Sequence, residues 1–268
     1  MATLQLLAFY YLDFDHPEIH QDIAFLILAS ICITAAGYLF NDWFDKDADR
    51  HNKPNKQYIL NWSAWSFWLT YLVLTILGLT LCAIVSINLL YSYAIIAVVL
   101  VTYSLWLKRL PLVGNFAVSL LAAFSVYIVY LTFGSQDEKL VIFYTGFAAL
   151  LTYIREIIKD MEDVVGDAQA GYKTFPILAG LAQSKTIVLI TLVFVTLSYL
   201  NLLFQWIIQQ FKMPIQGVVL GYHVLCVGIP MLVMLYLTYM SKKKSDYTQL
   251  SILAKYIMAT GLLSMVFY

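Results

Sequence analysis

Charge is what this sequence has least of. Only 12% of its 268 residues are Asp, Glu, Lys or Arg, about half the roughly 25% usual in soluble domains, so it cannot clothe a water-facing surface. Its 16 basic and 16 acidic residues cancel, which offers nucleic acid no broad basic face. The three cysteines, Cys32, Cys82 and Cys226, lie singly in apolar runs. That spacing excludes a disulfide framework and a cysteine zinc site, and they read as small buried hydrophobes. Residues 1–12 are apolar but have no basic segment or small-residue cleavage site, so they do not read as a secretory signal.

What the sequence has in abundance is hydrocarbon: 62% of residues are hydrophobic and the mean hydropathy is +0.78. Apolar runs fall at 21–41, 63–87, 89–107, 112–133, 139–159, 184–209, 215–240 and 247–268, each near the ~20 residues that cross a bilayer. The fold expected is an all-α membrane bundle, a single domain over 1–268 with eight full spans and a half-span at 1–12. That half-span reads as a clipped first helix. Asn88 and the pair Leu110 and Pro111 fall in very short links, which make antiparallel neighbours. Tyr10, Tyr11, Trp43, Trp62, Trp65, Trp106 and Trp206 gather near span ends, where amphipathic rings suit the headgroup region.

Threading the spans alternately puts Lys46, Arg50, Lys53, Lys56, Lys108, Arg109, Arg155, Lys159, Lys173, Lys185 and Lys242 to Lys244 on one side, with little beyond Lys139 and Lys212 on the other. The positive-inside rule then makes the long connections 42–62 and 160–183 cytoplasmic, in the inner membrane if the cell is bacterial. Both connections carry acid. Asn41, Asp42, Asp45 and Asp49 share one helical face, and Glu156, Asp160, Asp163 and Asp167 form a second stripe. Like charges at i,i+4 repel and call for a cation.

Carboxylates and a carboxamide are hard oxygen ligands, and Mg²⁺ is commonly held by one or two carboxylates with substrate phosphates completing its shell. The two stripes therefore point to Mg²⁺ and a diphosphate, with Asn41, Asp45, Asp49, Asp160, Asp163 and Asp167 as metal ligands. The nearby cations Lys108, Arg109, Arg155, Lys159 and Lys173 could meet the remaining phosphate charge. Two other readings stand beside this one. Ordinary solvated loop charges would look similar, and an ion-coupled transporter also repeats acidic motifs, although transporters place them near the bilayer midplane rather than at helix ends.

The first stripe matches in full the N-D-x-x-D-x-x-x-D signature of the UbiA superfamily of intramembrane prenyltransferases, which this chain resembles. Residues 155–167, followed by Gly171, Tyr172, Lys173, Thr174, Phe175 and Pro176, resemble the second motif in the form of the archaeal-lipid branch, and Tyr103, Lys108, Arg109, Gly114 and Asn115 resemble a patch between them. The resemblance implies a nine-span fold and Mg²⁺-dependent transfer of a prenyl group from a polyprenyl diphosphate to an acceptor in the membrane. It implies Asp42, Asp45, Asp49, Asp160, Asp163 and Asp167 as catalytic residues, and Asn41, Lys108, Arg109, Lys159 and Lys173 on the diphosphate. Geranylgeranylglyceryl phosphate is the acceptor that the motif wording favours, with an aromatic quinone precursor as runner-up. Lys56 stands where many relatives carry an arginine, a point charge in place of a bidentate fork.

Overall fold

The computed structural model describes residues 17–46, 62–134, 138–210 and 214–267. The expected half-span at 1–12, Asp49 and most of the 42–62 connection lie outside the described residues. Every regular element described is helical. The long helices are α1 (Pro17–Phe44), α2 (Ala64–Val85), α3 (Ile87–Leu105), α4 (Val113–Phe133) and α5 (Glu138–Glu162). Two short helices follow, α6 (Val164–Gln169) and α7 (Phe175–Ala179), and then α8 (Leu181–Gln210), α9 (Pro214–Tyr222), α10 (Ile229–Met240) and α11 (Lys244–Leu263).

Among the described residues, seven helical stretches are long and apolar enough to cross a membrane. They comprise six of the first eight helices, α1 to α5 and α8, and the continuous stretch Gly217–Met240. The eighth apolar run expected, 247–268, forms the helix α11, which Lys244, Asp246 and Lys255 keep below that apolarity. Leu, Ile, Val and Phe side chains stand exposed along α2, α3 and α8, as a lipid-facing surface requires. The chain is thus a multi-pass membrane protein.

Local chemistry explains the helix ends. Ser86 closes α2 through its amide to the Cys82 carbonyl and starts α3 by accepting the Leu89 amide at 3.1 Å. The turn therefore falls at Ser86, not at the expected Asn88, because a serine hydroxyl can satisfy an orphan amide of the new helix. Between α9 and α10 the backbone widens into a π segment, His223–Gly228, just before Pro230.

Among the described residues three apolar clusters make the core, the smallest of them Val126, Leu140, Tyr144, Ala148, Leu262 and Met265. Ile23, Leu26, Ile33, Cys82, Leu89 and Val129 join α1, α2, α3 and α4, while Leu151, Ile154, Leu192, Met231, Met234 and Ile257 join α5, α8, α10 and α11. The extensive packing of α4 on α5 links the two halves. Helix α5 is the most enclosed span, and the second acidic stripe begins on it. A cavity of about 460 Å³ opens where the halves meet, lined by α1, α3, α4, α5 and α11.

Candidate active site

The first stripe is held at the end of α1, where the Asp45 amide donates to the Asn41 carbonyl at 2.9 Å and carries helical geometry one residue past Phe44. Asn41 and Asp45 therefore face the same way, one turn apart. Lys108 meets both: its Nζ donates to Asn41 Oδ1 at 3.2 Å and forms an ion pair with Asp45 Oδ1. Both partners of that pair are largely buried, with 7% of the lysine side chain and 14% of the aspartate side chain accessible.

Lys108 arrives there through an irregular link. After α3 the chain makes a tight 3-10 turn at Leu107–Arg109, passes Pro111, and reverses at Leu112 with φ 62°. A leucine in the left-handed region is strained, and strain of this kind collects where a functional group must be placed. Gly114 permits the next step, because a Cβ there would sit 2.8 Å from Lys108 Cα and 2.9 Å from the Leu107 carbonyl oxygen. Any other residue would push the lysine turn away from α4.

The second stripe bends. Helix α5 ends at Glu162, and Asp163, with φ −96° and ψ 5°, opens α6. Helical hydrogen bonds nevertheless run on from the Asp163 amide to Lys159 O and from the Asp167 amide to Asp163 O, so the acids stay in sequence along one path. Glu156 is buried against Arg155 as an ion pair. Asp160 accepts a hydrogen bond from Asn115 Nδ2 at 2.7 Å, and Asn115 is itself buried in α4. Asp167 is buried as well.

One loop ties the stripes together. After α6 the chain turns at Gly171, φ +74°, and the Tyr172 amide returns to the Asp167 carbonyl at 2.9 Å. That places Tyr172 Oη to donate to Asp45 Oδ1 at 2.8 Å. The Lys173 amide donates to the Arg109 carbonyl at 3.1 Å, and the Arg109 guanidinium lies 5.4 Å from the centre of the Tyr172 ring. Burial, and then the charge of Asp45, hold the Tyr172 phenol well above the ordinary tyrosine range, so it remains a donor. Tyr103 lies within electrostatic reach of Glu156, Asp160, Asp45 and Asp167. Acids more than a hundred residues apart thus act on one ring.

The cavity begins at this junction. Asn41, Tyr103, Arg155, Glu156, Lys159 and Lys255 form its polar end, and Ile33, Ile96, Leu100, Val118, Leu121 and Ala148 line its body. At the far end the hydroxyls of Ser30 and Tyr93 bond to each other. Asn41 and Ser30 are eleven residues apart on α1, a depth of about 16 Å at ~1.5 Å per residue.

The structure brings Asn41, Asp45 and Lys108 into direct contact and sets Asp160, Lys159 and Asp167 around the same end. Asp42 and Asp163 are partly buried on the same two turns, while the side chains of Arg109 and Lys173 are exposed. Sequence reasoning did not give Tyr172, Asn115 or Lys255 a role, and named Glu156 only as a member of the second stripe. Asparagine and glutamate inside apolar helices were the available signals, and Gly171 marked the turn that aims Tyr172. Among the described residues no three of His, Cys, Asp and Glu converge into a complete metal cage. The oxygens of Asn41, Asp45, Asp160 and Asp167 suit a hard divalent ion that draws one or two ligands from each stripe and the rest from phosphate or water.

The chain is similar to several known proteins. Digeranylgeranylglyceryl phosphate synthase of Natronomonas pharaonis is 32% identical over 207 residues, 72% of either chain. The enzyme of the same name from Methanopyrus kandleri is 33% identical over 215 residues, 77% of this chain and 76% of that one. A solved digeranylgeranylglyceryl phosphate synthase shares the fold with a TM-score of 0.72 at 21% identity, over 99% of this chain and 91% of its own. A UbiA homologue from Archaeoglobus fulgidus, solved with GPP and Mg²⁺ bound, has a TM-score of 0.67 at 14% identity, over 99% and 95%. The sequence model of the UbiA prenyltransferase family matches residues 3–253, both acidic stripes included, and the chain belongs to that family.

Proposed function

We propose that this protein transfers a prenyl group from a polyprenyl diphosphate to the glycerol hydroxyl of geranylgeranylglyceryl phosphate, at the cytoplasmic face of its membrane. The observation that carries the reading is a deep apolar cavity whose polar end lies between two acidic stripes. A diphosphate with a long hydrocarbon tail has this same polarity. The Archaeoglobus fulgidus homologue holds GPP or DMAPP with Mg²⁺, and the donor set here has the chemistry to do likewise.

In this reading a bound Mg²⁺ would supply the positive charge that stabilises the diphosphate as a leaving group. Asn41, Asp45 and Asp49 would hold it from the first stripe, with Asp160, Asp163 and Asp167 from the second and Asp42 supporting the first. Lys108 and Lys159 meet the phosphate oxygens, and Arg109 and Lys173 stand at the entrance. Tyr172 and Lys108 fix Asp45, and Asn115 fixes Asp160, so the acids are oriented in advance. The prenyl chain lies along Ile33, Ile96, Leu100 and Leu121 toward the Ser30 and Tyr93 floor, out of reach of water that would quench an allylic cation. Tyr103 borders the reacting end, where an aromatic face favours positive charge.

The test is an assay of the purified full chain in lipid nanodiscs. Labelled prenyl diphosphates of several lengths are offered with geranylgeranylglyceryl phosphate and with aromatic acceptors. Prenylation of the glyceryl phosphate that requires Mg²⁺ is the expected result. Transfer to aromatic acceptors alone would replace the acceptor, and no transfer at all would end the reading.

A further inference from the structure

Two cations of the cavity are not needed by the diphosphate site just described. Arg155 belongs to α5 and Lys255 to α11, and both line the cavity. The register between these antiparallel helices fixes their relative height. Thr248 Oγ1 donates to Glu162 Oε1 at 2.8 Å, Thr152 Oγ1 lies 3.6 Å from Met258 Sδ, and Gly261 abuts Phe147. Lys255 therefore stands level with Arg155, about 10 Å below the Glu162 end of α5 at ~1.5 Å per residue.

Lys255 is exposed and Arg155 partly so, yet both stand on helices of an apolar bundle, where ionisable groups as a rule serve a ligand. Lys255 lies within electrostatic reach of Arg155, Lys159, Glu156 and Glu162, yet among the described residues it makes no ion pair. The nearby acids are already engaged, Glu156 by Arg155 and Glu162 by the Thr248 hydroxyl. Arg155 uses its terminal nitrogen on Glu156 and keeps a buried Nε–H without a hydrogen-bond partner. The remainder of the guanidinium, with 21% of the Arg155 side chain accessible, and the Lys255 ammonium thus border one cavity with no anion assigned to them.

We infer that Arg155 and Lys255 form the subsite for the phosphate monoester of the prenyl acceptor, and that this pair selects phosphate-bearing lipids over uncharged ones. The inference rests on the prenyl-transfer reading. Its geometry separates the two substrates: the donor's diphosphate belongs at the helix ends by Asp45 and Asp160, while Arg155 lies five residues, roughly 7 Å, below Asp160 along α5. A phosphate there leaves the acceptor's hydroxyl, a few bonds away, close to the end of the prenyl chain that loses its diphosphate. Arginine binds phosphate through directed N–H donors and lysine as a point charge, so the pair combines orientation with attraction.

The experiment compares wild type with Lys255→Gln, Lys255→Arg and Arg155→Lys in nanodiscs, varying donor and acceptor separately. Loss of one charge-assisted phosphate contact should raise the acceptor KM of Lys255→Gln by about tenfold to a hundredfold. The donor KM should hold within twofold, and Lys255→Arg should recover most of the affinity. With dephosphorylated geranylgeranylglycerol as acceptor, wild type and Lys255→Gln should be equally poor. A rise in donor KM instead, or an unchanged acceptor KM in an active Lys255→Gln enzyme, overturns the subsite. Arg155→Lys keeps the charge and removes the fork, and an unchanged acceptor KM in that variant would also count against it. Failure of the wild-type chain to prenylate any phosphate-bearing acceptor would reject the functional reading itself, an outcome distinct from a working enzyme indifferent to Lys255.

Discussion

Gly114→Ala is the smallest change expected to disable this protein without touching a charged group. The added methyl would lie 2.8 Å from Lys108 Cα, 2.9 Å from Leu107 O and 3.2 Å from Leu107 C, against ordinary contacts of 3.4 Å or more. All three opposing atoms are backbone, so no side chain can swing aside, and the Leu107–Arg109 turn must retreat by about 0.6 Å. Overpacking of this kind costs ~1–3 kcal/mol, offset in part by the ~1 kcal/mol that alanine gains over glycine within a helix. The bundle should therefore fold, with a modest drop in melting temperature. Activity should suffer far more, because the retreat draws Lys108 away from Asn41 and Asp45, and a misplacement approaching 1 Å can cost on the order of 100-fold in rate. The assay is prenyl transfer beside a thermal melt in the same nanodiscs. A Gly114→Ala enzyme that keeps wild-type rate within twofold would refute the claim that this close approach positions Lys108.

Other perturbations follow from the same contacts. Tyr172→Phe removes one donor from Asp45 but leaves the Lys108 pair, so the rate should fall about three- to tenfold, the size of a single hydrogen bond to a charged group partly compensated by its neighbour. The same variant tests the phenol's raised pKa. An unfolded tyrosine ionises near pH 10 while Tyr172 in the fold keeps its proton, so the folded state binds more protons and its stability falls as pH rises above about 10. Replacing Tyr172 by Phe should flatten that decline, and an identical pH profile would contradict the assignment. A cysteine at the exposed position 173 (Lys173→Cys) should resist an impermeant thiol reagent outside intact cells and react in inverted vesicles, after the other cysteines have been replaced. Labelling from outside would reverse the topology.

The spans could be read from the sequence because a bilayer imposes one length and one composition, and helices of about that length appear where the apolar runs lie. The acidic stripes were legible for a related reason: Asn41 and Asp45 are one helical turn apart, so periodicity alone puts them on one face. The bend at Asp163 was not legible, since the i,i+4 and i,i+3 spacing of Glu156, Asp160, Asp163 and Asp167 also fits an unbroken helix. Lys108 was expected to contact phosphate, and the structure pairs it with Asn41 and Asp45 through a turn whose left-handed Leu112 no propensity would suggest. Tyr172 was hidden among 20 tyrosines, and its reach to Asp45 depends on Gly171 and on a contact across 127 positions. Lys255 drew no reading from the sequence. Only the α5 and α11 register places it beside Arg155.

The central claim is that acids from two distant segments serve one diphosphate. Asp45→Asn and Asp160→Asn, one from each stripe, test it most directly when assayed for prenyl transfer across a Mg²⁺ titration with donor and acceptor saturating. Each amide keeps the shape of the side chain and removes its charge. The account predicts that each single variant loses at least about 100-fold in rate, the scale of a lost preorganised electrostatic contact. It also predicts that the double variant is scarcely worse than either single one, as expected of residues acting as a unit. Near-full activity in either variant, or independent losses that multiply in the double variant, would contradict a shared site.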